Sequence, residues 1–152
     1  MGGPLPVSPL APARFPDLPE IRGARVAAAA AGVRYTGRPD VTLALLDPAS
    51  VVAGVFTRSA TRAAPVLDCE RKLRSGAEGG AAILVNSGNA NAFTGRAGDA
   101  SVAALCAAVA GAAGVPEGRV FTASTGVIGE RLPHDRIAAA VPGLVESAAP
   151  GG

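Results

Sequence analysis

Apolar positions along this chain gather into short runs cut by glycine, proline and aspartate, and each run predicts an element. "VTLALLD" at 41–47 predicts a buried strand closed by Asp47-Pro48, and "VVAGVFT" at 51–57 a second strand, its neighbour across a tight connection. "AAILVNSG" at 81–88 predicts a third buried strand running into a polar loop, and "RVFTAS" at 119–124 a fourth. The clearest helix is "DASVAALCAAVAGAAG" at 99–114. There Val102, Leu105, Cys106 and Val109 repeat at helical spacing, Asp99 or Ser101 offers a cap, and Gly114 and Pro116 stop it. Pro65 opens a shorter helix through "VLDCERKLRSG", ended by Gly76. A last helix over 132–141 has Pro133 at its start and Pro142 at its end. "RVAAAAAGVRYTG" at 25–37 reads as a short helix by alanine content, or equally as a strand bracketed by Val26, Val33 and Tyr35, and "GRPD" at 37–40 reads as a turn. Residues 1–22 carry six prolines, at 4, 6, 9, 12, 16 and 19, and predict an extended arm ahead of a body over 23–152. Strands and helices alternate in the second half, so the expected class is a layered α/β (α+β) domain. The closing "ESAAPGG" reads as an interruption rather than a domain edge.

Composition narrows this picture. A chain of 152 residues suits one domain with one core. Hydrophobic residues at 49% against 17% charged exclude a disordered tail. Aromatics are only 3%, with no Trp and a single Tyr35, so the core must come from Ala, Val, Leu and Ile, which favours close helix–sheet packing. The net charge of +2 is too balanced for a nucleic-acid binder, the arginines and Lys72 are scattered, and a stacking platform is lacking. The longest uncharged apolar stretch, between Asp99 and Glu117, falls short of the roughly 18–20 residues of a membrane span. The first 23 residues lack the basic and apolar regions of a secretory signal. The expectation is a soluble, cytoplasmic protein with no membrane or nucleic-acid partner. Cys106 reads as a small core hydrophobe, and Cys69, among charges, as exposed; two free thiols fit a reducing compartment.

Two stretches have the form of strand, polar glycine loop, then helix. In "ILVNSGNANAFTGRAGDA" at 83–100, Asn86, Asn89 and Asn91 surround Ser87-Gly88, and Gly95 and Gly98 permit close backbone approach. Asparagine amides can orient such a loop; the plain alternative is a well-knit turn capping the next helix. In "FTASTGVIGE" at 121–130, a strand ends on Thr125-Gly126. A positive φ at Gly126 would turn consecutive N–H groups to one side as a nest for an anion or a developing oxyanion, with the Thr125 hydroxyl adding a donor. The alternative is a bulge or tight turn. No lysine follows to make a P-loop. No nucleophile–base pair is visible, His134 beside Asp135 reads as a solvated helix start, and no cluster has metal-ligand spacing. The residues offer half of an acyl-transfer site: a place for charge to develop and nothing to attack.

"VVAGVFTRSATRAAPV" at 51–66, "LVNSGNANAFTG" at 84–95 and "ASTGVIGERLP" at 123–133 resemble the amino-terminal half of ornithine acetyltransferase, the ArgJ family of arginine biosynthesis. The stretch at 8–47 is similar to that family's opening. The resemblance implies a layered fold shared with self-processing DmpA-type aminopeptidases. It implies a precursor cut at an Ala-Thr bond into α and β chains, with the new amino-terminal Thr of β as nucleophile and its α-amine as base. That Thr takes acetyl from N-acetylornithine and passes it to glutamate through an acetyl-enzyme. Some members also use acetyl-CoA, no cofactor is implied, and the enzyme is usually a dimer of αβ units. The family's oxyanion-hole pair falls on Thr125 and Gly126, and "NSGNANA", including Asn86, Ser87, Gly88, Asn89 and Asn91, supports the active-site region.

The family's later motifs, a Thr-Thr-Asp-Thr segment, an Ala-Lys-Gly stretch and the Ala-Thr cleavage site, are absent from these 152 residues. The nucleophile is therefore expected outside this sequence, which reads as the amino-terminal part of an α chain, inactive alone. Two other readings stand beside it: a DmpA-like self-processing aminopeptidase, and a non-catalytic fragment that binds a small carboxylate or assists assembly.

Overall fold

The computed structural model describes residues 7–14 and 19–150. Four strands, β1 (Ala24–Ala29), β2 (Val41–Leu46), β3 (Ala81–Asn89) and β4 (Val120–Val127), form one sheet in the order β1-β2-β3-β4. The first two pairings are antiparallel and β3–β4 is parallel. A parallel neighbour needs a long crossover, and α2 (Gly95–Ala113) supplies it between β3 and β4. The remaining helices are α1 (Ala64–Ser75) and α3 (His134–Ser147). The mixed sheet with its helices is the expected α/β (α+β) class.

Strand alternation sorts the core into two parts. On one face Val41, Leu43, Leu45, Ala82, Leu84 and Val120 meet Val102, Leu105, Cys106 and Val109 of α2 and Ile137, Val141 and Leu144 of α3. Fully buried side chains such as Leu43, Leu84 and Ile137 contribute about 1.5–3 kcal/mol each. On the other face a small cluster of Cys69, Ala81 and Phe121 is covered by Val52, Phe56 and Leu73, while Val85, Ala123 and Thr125 stay exposed.

The structure resolves or corrects several expectations. Residues 25–37 begin as β1 and contain no helix. Residues 51–57 form no strand, because β1 and β3 already occupy both edges of β2. They instead drape Val52 and Phe56 over the second cluster and leave Val51 93% and Val55 99% exposed. Helix α2 starts at Gly95, so neither Asp99 nor Ser101 caps it; Ser101 Oγ donates back to Ala97 O at 2.9 Å. Pro142 lies inside α3 rather than ending it. A proline removes one intrahelical bond, and burial of Val141 and Leu144 carries the helix past it. Cys69 is buried, not exposed. Gly76 and Gly114 do end α1 and α2, both in the left-handed conformation. Of the arm's prolines, 4, 6 and 16 lie outside the described residues; the described part of 1–22 has neither helix nor strand.

Candidate active site

The strand expected to stop at Ser124 does not stop there. β4 runs on through Val127, with Ser87 opposite Thr125 and Gly88 opposite Gly126. The two stretches singled out in the sequence therefore lie side by side at the carboxyl ends of the parallel pair, where open α/β sheets commonly bind ligands. Gly126 has φ +138, and a Cβ there would collide with the Gly88 carbonyl carbon and lie 2.5 Å from the Asn89 nitrogen. Gly88, at φ +98, is closed from its other side by Arg34, whose Cβ would lie 2.8 Å from a Gly88 Cβ. Two glycine backbones thus pack where no side chain fits. Thr125 and Gly126 are themselves exposed.

Beneath them the asparagines are spent on structure. Asn86 Nδ2 donates to Asn89 O at 2.9 Å, and Ser124 Oγ donates to Asn86 Oδ1 at 2.6 Å. Asn89 Oδ1 accepts from Asn91 N at 2.7 Å, and its Nδ2 donates to Glu130 O at 3.1 Å. Asn91, fully buried at φ +46, donates to Gly98 O at 3.1 Å and accepts from Thr94 Oγ1 at 2.9 Å. Two main-chain bonds complete the seam, Ala90 N to Val127 O and Gly129 N to Ala92 O, both 2.9 Å. Gly98 permits the close approach expected of it, since a Cβ there would strike Thr94 Oγ1; Gly95 has open space and instead takes φ +54.

An apolar cavity of about 330 Å³ runs beside this corner, lined by Phe56, Val66, Cys69, Ile83, Phe121 and Ser124. Among the described residues no group of three or more His, Cys, Asp or Glu is placed to hold a metal. His134 is half-buried, with Nδ1 3.0 Å from Ser101 Oγ. Ser101 is buried and its hydroxyl proton goes to Ala97 O, so this pair is a helix–helix tie and not a nucleophile with its base.

Two clusters were not foreseen from the sequence. Asp40 is buried, and its carboxylate accepts from Ala31 N and Val33 N, both at 2.7 Å, which holds the segment that passes over Gly88. Lys72 Nζ lies 2.7 Å from Asp68 Oδ2, 2.9 Å from Cys106 Sγ and 2.8 Å from Val120 O. Burial pulls Lys72 down, but hydrogen bonds to Asp68 and Cys106 outweigh it and leave it above the ordinary lysine value. Burial pushes both thiols up, which favours the protonated thiol at Cys69 and Cys106. The four-residue spacing of Asp68 and Lys72 on a predicted helix was the available signal for this cluster.

A family model described as the ArgJ family matches residues 25–150. The chain belongs to the ArgJ family. It is 67% identical over 133 residues to the arginine biosynthesis bifunctional protein ArgJ of Ruegeria pomeroyi, covering 88% of this chain and 33% of that protein. It is 51% identical to the protein of that name from Nitrobacter winogradskyi, covering 95% of this chain and 35% of that protein. The chain thus spans about a third of the length of the curated relatives it matches. Among solved structures, the ornithine acetyltransferase of Mycobacterium tuberculosis complexed with ornithine superposes with a TM-score of 0.79 at 40% identity, covering 86% of this chain and 69% of that one. The ArgJ of Bacillus halodurans superposes at 0.74 and 32% identity, covering 84% and 65%. Both glycine loops lie within the residues matched by the ArgJ model, as do all four strands but the first residue of β1.

Proposed function

We propose that this chain forms the oxyanion-binding corner of a cytoplasmic glutamate N-acetyltransferase that moves acetyl from N-acetylornithine to glutamate. The observation that carries the reading is the Thr125-Gly126 pair: exposed at the end of β4 and next to Ser124, whose hydroxyl is bonded to the buried Asn86. Strand geometry gives the corner its direction. Val120 O and Thr122 O face α1, bonded to Lys72 Nζ and Cys69 Sγ, while Val127 O faces β3 through Ala90 N. The two-residue alternation turns the main-chain groups of Ser124 and Gly126 toward the outer edge, beyond the stretch that α1 covers. There the Gly126 N–H and the Thr125 hydroxyl supply fixed donors for the oxygen of a tetrahedral intermediate.

The attacking group comes from elsewhere: a Thr at the amino terminus of the β chain of the same precursor, with its α-amine as base. The assembled enzyme is an αβ heterotetramer. It needs no cofactor, and acetyl-CoA is an alternative acetyl donor. Donors fixed before the reaction act on charge as it develops, and losing one costs about 3–4 kcal/mol, or roughly 10²–10³ in rate. The test is Thr125→Ala in the complete protein. Transfer of acetyl from N-acetylornithine to glutamate is expected to slow by about 10²-fold or more, with thermal stability unchanged within about 0.5 kcal/mol. Turnover at the parent rate removes Thr125 from the mechanism.

A further inference from the structure

Glycine at 126 creates a difficulty for the oxyanion corner. It alone accepts φ +138 against Gly88, yet the same freedom leaves its N–H direction undetermined by its own torsions. The direction must be fixed by what holds the residues on either side. On the carboxyl side Val127 O is held by Ala90 N at 2.9 Å, a bond of the main chain. On the amino side the ladder pairs Thr125 with Ser87, and a side-chain anchor is added to it, Ser124 Oγ on Asn86 Oδ1 at 2.6 Å.

The polarity of that bond is forced. Asn89 O can only accept, so the Asn86 amide must aim Nδ2 at it, which leaves Oδ1 for Ser124 and makes the hydroxyl the donor. Asn86 is 3% exposed and sits opposite Ser124 in the register, so the pair is a rigid strut across the parallel strands. Further on, Asn89 holds the Glu130 carbonyl, tying the far side of the glycine loop to the same strut.

The geometry points to Ser124 as a positioning residue of the acetyl-transfer site: its hydroxyl, locked on Asn86, sets the Thr125 and Gly126 donors at the oxyanion. This rests on the reading of Thr125 and Gly126 given above. Ser124 touches no reacting atom; it acts through the next two residues. A loosened donor pair weakens binding of the tetrahedral intermediate more than binding of the planar substrate, so the loss belongs in kcat.

The experiment uses the complete enzyme, with steady-state kinetics for N-acetylornithine and glutamate. Ser124→Ala is expected to lower kcat about tenfold to hundredfold with KM within about twofold. Ser124→Thr keeps the hydroxyl and restores most of the rate; Ser124→Val, matching Thr in shape without the hydroxyl, does not. The Thr and Val pair decides the matter should the alanine variant fold poorly. Unchanged kcat in Ser124→Ala, equal loss in the Thr and Val variants, or a loss confined to KM overturns the assignment. An unsubstituted enzyme that transfers no acetyl, or a Thr125→Ala variant at full rate, instead sinks the acetyltransferase corner itself and this assignment with it.

Discussion

The two halves of β4 are both edged with polar groups and use them in opposite ways. Along Val120 and Thr122 the outer edge is sealed: α1 lays Lys72 and Cys69 against the carbonyls, and Asp68 and Cys106 complete the lysine's partners. Along Ser124 to Val127 the strand is tied to Asn86 through Ser124, the loop after it is held by Asn89 at Glu130, and the edge is left open. A charge drawn half into the interior is tolerated where it is paired and hydrogen-bonded, as at Lys72. Donors useful to a ligand must instead be held rigid and left without a protein partner. The difference teaches that polar content alone does not mark a site. Which polar groups remain unspent, and what fixes them, is the distinguishing feature.

The sharpest way to break this contrast is Gly126→Val. Its Cβ would enter the Gly88 main chain in a conformation that β-branched residues do not adopt. A loss of more than about 4 kcal/mol is expected, with activity abolished, read by thermal unfolding and yield. A normally stable, active variant would mean that the two glycine backbones do not meet. At the sealed half, Lys72→Met leaves the buried Asp68 carboxylate with the exposed Arg71 as its remaining cation and unblocks the β4 edge. It is expected to cost about 3 kcal/mol in urea unfolding while leaving turnover per folded molecule unchanged. A selective loss of turnover would erase the distinction between the two halves.

Asn91→Ala attacks the support rather than the donors. It strands the Gly98 carbonyl and the Thr94 hydroxyl and places alanine at a positive φ, for an expected loss of about 2 kcal/mol. A Tm within a degree of the parent would show that the buried amide is not needed. The smallest effect is with pH. Lys72, Cys69 and Cys106 all hold their protons to higher pH when folded than when unfolded. Above the ordinary thiol value the folded chain therefore binds more protons, and stability falls as pH rises. Urea midpoints should be level through neutral pH and decline above about pH 9, less so in Lys72→Met. A midpoint that climbs with alkalinity would contradict the buried cluster.

Much of the fold was legible because it rests on local rules. Helical spacing located α2, Pro65 marked the start of α1, glycines marked the ends of both, and apolar runs marked β2, β3 and β4. The errors share a cause. Residues 51–57 have a strand's composition, but strand formation needs a free edge, and β2 had none. Pro142 has a helix breaker's chemistry, overridden by burial of the residues around it. At the site, the sequence supplied Thr125, Gly126 and the asparagines as two separate loops. It gave no sign that Ser124 and Asn86 face each other across a parallel register, because partners 38 residues apart leave no local periodicity.

The sequence by itself determined the class of the domain, the family and the residues available for chemistry, since these follow from composition, spacing and motif. Only the tertiary structure decided that β4 continues past Ser124, that Gly126 rests on Gly88, and that α1 covers one half of the strand and not the other. Those outcomes depend on which backbones meet at contact distance. Steric exclusion and hydrogen-bond pairing between distant segments settle that, and neither acts until the sheet has formed.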